Sequence, residues 1–127
     1  MIAADLPQET GAYALYYLLA APIALTIVRL NEPVLQPGRY VYVGNAHGSG
    51  GIRARVARHL RRDKTPHWHI DYLSTKISCV RVDAFLGGNE CSVIRELLKN
   101  GASAPVPGFG SSDCGICPAH LVSLAGT

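Results

Sequence analysis

The chain has 127 residues, 48% hydrophobic and 17% charged, with a formal net charge of +3. That is the length of one ordinary domain, apolar enough for a packed core and too weakly charged for a disordered tail or a coiled coil. The richest apolar stretch, 12–30, is broken by Pro22, so a membrane span is not expected.

Asp5 and Glu9 stand near the N-terminus without a basic run, which argues against a signal peptide. A compact cytoplasmic domain spanning residues 1–127 is therefore expected. No internal repeat or long linker divides it. In that compartment Cys79, Cys91, Cys114 and Cys117 read as reduced thiols rather than as a disulfide framework.

Residues 12–19 and 23–30 are read as two strands of a hairpin, with Ile23, Leu25 and Ile27 alternating along the second. A Pro-containing loop over 31–38 leads to a third strand, Arg39–Val43, rich in β-branched and aromatic residues. Gly44 to Gly51 forms a glycine-rich loop. A helix follows from about Gly51 to Arg62, with Ile52, Val56 and Leu60 as its buried stripe and Pro66 as its stop. Residues 68–73 fit either strand or short helix. Ile77–Phe85 reads as a strand ended by Gly87-Gly88. A second helix runs over 90–100, capped by Asn89 and closed by Gly101. From Ala102 onward the chain reads as irregular.

Charge is concentrated on the first helix. Arg53, Arg55, Arg58, Arg61, Arg62 and Lys64 face only Asp63, leaving a local +5. Clusters of this kind suit phosphate-rich partners, although they also occur on solvated helix faces. Arg55, His59 and Arg62 share one helical face by spacing. Guanidinium, imidazole and a carboxylate are the groups that phosphodiester hydrolysis needs. Gly48–Gly51 lacks the GK[ST] ending of a nucleotide-binding loop, yet its amides at a helix start suit a DNA phosphate.

Gly11-Ala12-Tyr13 and Tyr42-Val43-Gly44 resemble the two signature tripeptides of the GIY-YIG nuclease superfamily. The chain is most similar to the branch called domain of unknown function one-two-three, sometimes fused to endonuclease III-type proteins. The likeness runs through 37–46, 50–55, Arg58-His59-Leu60, 67–73, Glu90-Cys91 and 109–114. Ala12 replaces the usual Ile, the loop after Gly44 is richer in glycine, and the superfamily's terminal asparagine has no clear match.

The resemblance implies an α+β fold, a small and mainly antiparallel sheet flanked by helices. It implies that Tyr13 supports the attacking water or a phosphate oxygen, and that Tyr42 or His59 acts as base. It further implies that Arg55 contacts the scissile phosphate and that Glu90 binds Mg²⁺ or Mn²⁺. Arg53, Arg58, Arg61, Arg62 and Lys64 would hold the flanking nucleic-acid backbone.

The activity implied is metal-dependent endonucleolytic cleavage of DNA in repair or processing, in association with a repair enzyme. The alternative is a catalytically inactive nucleic-acid-binding module of the same fold. Each residue also has a plain structural reading: sheet packing for the tyrosines, surface exposure for Arg55 and His59, and helix-dipole compensation for Glu90. His67-Trp68-His69-Ile70-Asp71 is read as a structural cluster, with Trp68 in the core or stacked on a base. Cys114, Cys117 and His120 have the look of three zinc ligands. Buried thiols are the favoured reading, and a fourth ligand would come from Cys91, His67 or His69.

Overall fold

The computed structural model describes residues 5–110 and 117–124. The fold is α+β. Four antiparallel strands lie in the order β5-β1-β4-β6, formed by β1 (Gly11–Leu19), β4 (Gly38–Ala46), β5 (Arg81–Leu86) and β6 (Leu121–Ser123). A separate two-stranded sheet joins β2 (Ile23–Ala24) to β3 (Val34–Leu35), and the helices are α1 (Gly51–Leu60), α2 (Asp71–Ser74) and α3 (Glu90–Lys99). None of the described helices is long and apolar enough to cross a membrane.

Strand alternation assigns the two faces of the large sheet. Tyr13, Leu15, Tyr17 and Leu19 of β1 join Tyr40 and Tyr42 of β4 on one side, packed with Ile52 and Val56 of α1, Ile70 and Leu73. Ala14, Val41, Val43 and Val122 point to the other side, against Ile94 of α3. Strand alternation and the helix stripe account for this division.

The expected hairpin is not formed. Residues 12–19 pair with β4 and β5, while Ile23 and Ala24 pair with Leu35 and Val34. Tyr and Leu alternation marks a strand but carries no information about its partner. The strand expected over 77–85 begins only at Arg81, and Val80 is exposed. The tail read as irregular supplies β6, whose Leu121 and Val122 pair with Tyr42 and Val41. The third strand extends past Val43 to Ala46. Residues 71–74 are the short helix.

Both long helices end for local reasons. Asn89 Oδ1 accepts from the amides of Cys91 and Ser92 at the start of α3, and the left-handed Gly101 follows its end. Helix α1 stops at Leu60, well before Pro66, where Arg61 turns to extended backbone. Lys64 Nζ then donates to the carbonyls of Arg58 and His59, each at 2.9 Å.

A cation at the negative end of a helix compensates its dipole. At the other end of α1, a Cβ on Gly51 would lie 2.0 Å from the Gln8 carbonyl oxygen. Segment 7–9 therefore packs directly on the helix start.

Candidate functional site

The register of the central strands builds the site. Tyr13 lies opposite Gly44, and a Cβ on Gly44 would fall 2.4 Å from the Tyr13 hydroxyl. Only glycine lets the ring lie across β4. The Tyr13 hydroxyl then reaches His59 Nε2 of α1 at 2.6 Å. Tyr42 stands edge-on to the His59 ring at 5.9 Å, and Trp68 closes over it at 5.1 Å.

Above these rings lies a polar cleft of about 510 Å³. Tyr13, Tyr42, Arg55 and Glu90 all line it, brought from β1, β4, α1 and α3. Asn45 couples two of these elements. Its side-chain oxygen accepts from the Glu90 amide at 3.1 Å, and its carbonyl accepts from Arg55 at 3.3 Å. Arg29, His67, Trp68, His69 and His120 complete the wall. Arg29 carries no sequence pattern that would have flagged it, and Asn45 lies in the 37–46 likeness without an assigned role.

Burial sets the protonation states. It pushes the Tyr13 and Tyr42 hydroxyls well above the ordinary phenol range, so both keep their protons at neutral pH. Burial and the nearby Lys64 lower His59 to about 3, so its imidazole is neutral. Burial raises Glu90, partly offset by His47 and Arg55, and lowers His120. Glu90 Oε2 and His120 Nδ1 lie 3.3 Å apart.

Spacing placed His59 on a row with Arg55 and Arg62. In the fold it is 1% exposed and sits with Ile52 and Val56 on the core side of α1. His59 meets the cleft through the rings of Tyr13, Tyr42 and Trp68. A second cavity of about 270 Å³ lies against it, lined also by Tyr17 and Ser74. His59 Nδ1, Tyr17 Oη and Ser74 Oγ are buried there without a hydrogen-bond partner among the described residues.

The basic row is largely engaged within the protein. Arg58 donates to both Asp71 carboxylate oxygens, at 3.0 and 2.9 Å. The same carboxylate accepts from the amides of His67 and Trp68. Burial alone would raise Asp71, but these donors outweigh it and hold the group at about 2. This is the structural role that the sequence assigned to Asp71.

Trp68 packs under two guanidiniums, Arg55 at 4.5 Å and Arg58 at 4.4 Å, a cation–π arrangement. Lys64 caps α1, Arg53 donates to the Leu6 carbonyl and Arg62 to that of Lys76. Arg61 is exposed. The helix-start amides expected to hold a phosphate are also taken. Gly51, Ile52 and Arg53 donate to the carbonyls of Gly48, Glu9 and Pro7.

The cysteine reading needs correction. Cys91 and Cys117 form a disulfide, tying the start of α3 to the segment before β6, while Cys79 is a free thiol. A sequence separation of 26 residues hid that proximity. Of the three residues with the look of zinc ligands, Cys117 and His120 come together with Cys91, their ligand atoms within 4.8 Å. Cys114 lies outside the described residues.

An α+β domain carrying a polar cleft across its central strands is thus defined. The chain belongs to the family described as Domain of unknown function DUF123, which it matches over residues 12–127. No curated protein and no solved structure matches it.

Proposed function

We propose that the chain is a metal-dependent nuclease of GIY-YIG type, hydrolysing phosphodiester bonds in DNA within the cytoplasm, beside a repair enzyme. The supporting observation is the convergence of Tyr13, Tyr42, Arg55 and Glu90 from four elements on one cleft. In this reading Arg55 meets the scissile phosphate, where fixed donors aimed at developing charge contribute most. Its stacking on Trp68 and its bond to Asn45 hold the guanidinium in place.

Tyr13 and His59 act together. The phenol and His59 Nε2 share one buried hydrogen bond. Neutral His59 fixes the Tyr13 hydroxyl, which supports the attacking water or a phosphate oxygen. Tyr42 orients the water or a phosphate oxygen.

Glu90 offers one hard carboxylate beside a polar space. That donor chemistry fits Mg²⁺ or Mn²⁺, which commonly take one or two protein carboxylates together with water and phosphate. Such an ion supplies Lewis-acid stabilisation of phosphoryl charge.

Cleavage of branched, single-stranded and double-stranded DNA by wild type, Glu90→Ala and Arg55→Ala tests the reading. Wild type should cut only with a divalent cation. Arg55→Ala should lose about 10²–10³ in rate with a smaller loss of binding, and Glu90→Ala should be inactive. Tight binding by wild type without cleavage of any substrate would replace the enzyme with the inactive binding module. A salt-independent affinity would exclude nucleic acid as the partner.

A further inference from the structure

We propose that reduction of the Cys91–Cys117 disulfide opens a zinc-class metal site formed by Cys91 Sγ, Cys117 Sγ and His120 Nε2. In this site Glu90 is the carboxylate that orients the histidine. The ligand atoms lie within 4.8 Å of one another, and Cys91 Sγ is 4.0 Å from His120 Nε2. Donors around one tetrahedral ion with bonds of about 2.0–2.3 Å stand roughly 3–4 Å apart, so small side-chain rotations suffice. Two thiolates and an imidazole are soft donors that select zinc over magnesium. Water or another donor fills the fourth position.

The second observation is how His120 is oriented. Its Nδ1 faces Glu90 Oε2 at 3.3 Å while its Nε2 faces the sulfur of Cys91. A metal-binding histidine almost always presents its other nitrogen to a carboxylate or carbonyl in this way, which fixes the tautomer and strengthens the ligand. The ring itself is buried, held among these two groups and the Gly110 backbone. Because Cys91 follows Glu90 on α3, the state of the sulfurs acts on the side chain proposed to serve the cleft.

The chemistry balances with a dithiol as reductant. Two electrons and two protons pass from the dithiol to the disulfide, giving two thiols and an oxidised dithiol. Zinc binding then releases both thiol protons to solvent. The disulfide and the metal site are mutually exclusive states of the same two sulfurs.

The site does not depend on the nuclease reading, and its test reads metal binding rather than cleavage. The full chain is titrated with Co²⁺ alone, oxidised and after reduction by a phosphine, following the thiolate-to-cobalt charge-transfer band. The reduced chain should show a saturable band that Zn²⁺ displaces, and the oxidised chain none. Cys91→Ser and Cys117→Ser should lose the band, Cys79→Ser should keep it, and Glu90→Gln should bind about 10–100-fold more weakly. Circular dichroism checks each variant. The oxidised and reduced wild type decide the matter even where a variant folds poorly. No band in the reduced wild type, or an undiminished band in Cys91→Ser and Cys117→Ser, overturns the site. Unchanged affinity in Glu90→Gln overturns the link to Glu90.

Discussion

The two faces of the central sheet are built on different terms. The face toward α3 is small and wholly apolar: Ala14, Val41, Val43, Val122 and Ile94. The face toward α1 holds four tyrosines in its core, with the buried side chains of His59, Asp71 and Ser74 beside them. Burying polar groups is costly unless each finds a partner. Asp71 finds five donor contacts, counting Lys64 at 3.9 Å, whereas His59 Nδ1, Tyr17 Oη and Ser74 Oγ find none among the described residues. One face is apolar throughout, and the other holds its buried polar groups beside the cleft.

The largest expected effect that separates the faces comes from Asp71→Ala. It strips Arg58 and two backbone amides of their shared acceptor and should cost about 3–5 kcal/mol in urea unfolding. It should also loosen Trp68 and Arg55, and with them the cleft. Ile94→Ala on the apolar face should cost about 2–5 kcal/mol, while the DNA affinity proposed for the folded molecule should be unchanged. Equal loss of cleft function in the two variants would erase the distinction.

Acid should act on the polar face next. His59 is held near 3 in the fold against an ordinary value of 6.5. Between those values the unfolded chain binds a proton that the folded one refuses, so stability declines as pH drops from about 6.5 toward 3. Asp71, held at about 2 against 3.8, extends the decline below pH 4. Together they amount to a few kcal/mol on an order-of-magnitude scale. His59→Phe should flatten the first part of the curve, and a slope unchanged in that variant would assign it elsewhere.

The smallest effect is a gain. Tyr17→Phe deletes an unpartnered buried hydroxyl and should raise stability by about 1 kcal/mol. A loss of that size would mean that the hydroxyl has a partner in solution.

Local composition, the stripe of α1 and the Asn89 and Gly101 ends located β1, β4, α1 and α3, because each depends on residues close in the chain. Pairing partners were not legible. The chemistry that favours a strand at 12–19 is indifferent to whether residues 23–30 or 38–46 lie beside it. β6 is only three residues long, too short to show a period.

The same limit applied to charges. Arg53, Arg58, Arg62 and Lys64 read as one basic surface, yet their acceptors, at Leu6, Asp71, Lys76 and the end of α1, are fixed by tertiary folding. Likewise, helix spacing set His59 beside Arg55 but could not turn its ring inward. Glu90, Arg55, Tyr13 and Tyr42 were named from motifs. Asn45, which ties two of them together, lies within the 37–46 likeness but was given no role there.

The contact between Tyr13 and Gly44 makes two distant signature segments a single constraint written twice. Glycine at 44 is obligatory only while an aromatic ring crosses above it. A chain with a small residue at 13 would be free to carry a side chain at 44. Relatives that have lost the tyrosine should therefore drift at the glycine as well, whereas a bare change at 44 alone should be purged. The pair is thus a compact record of whether a descendant still uses the ring.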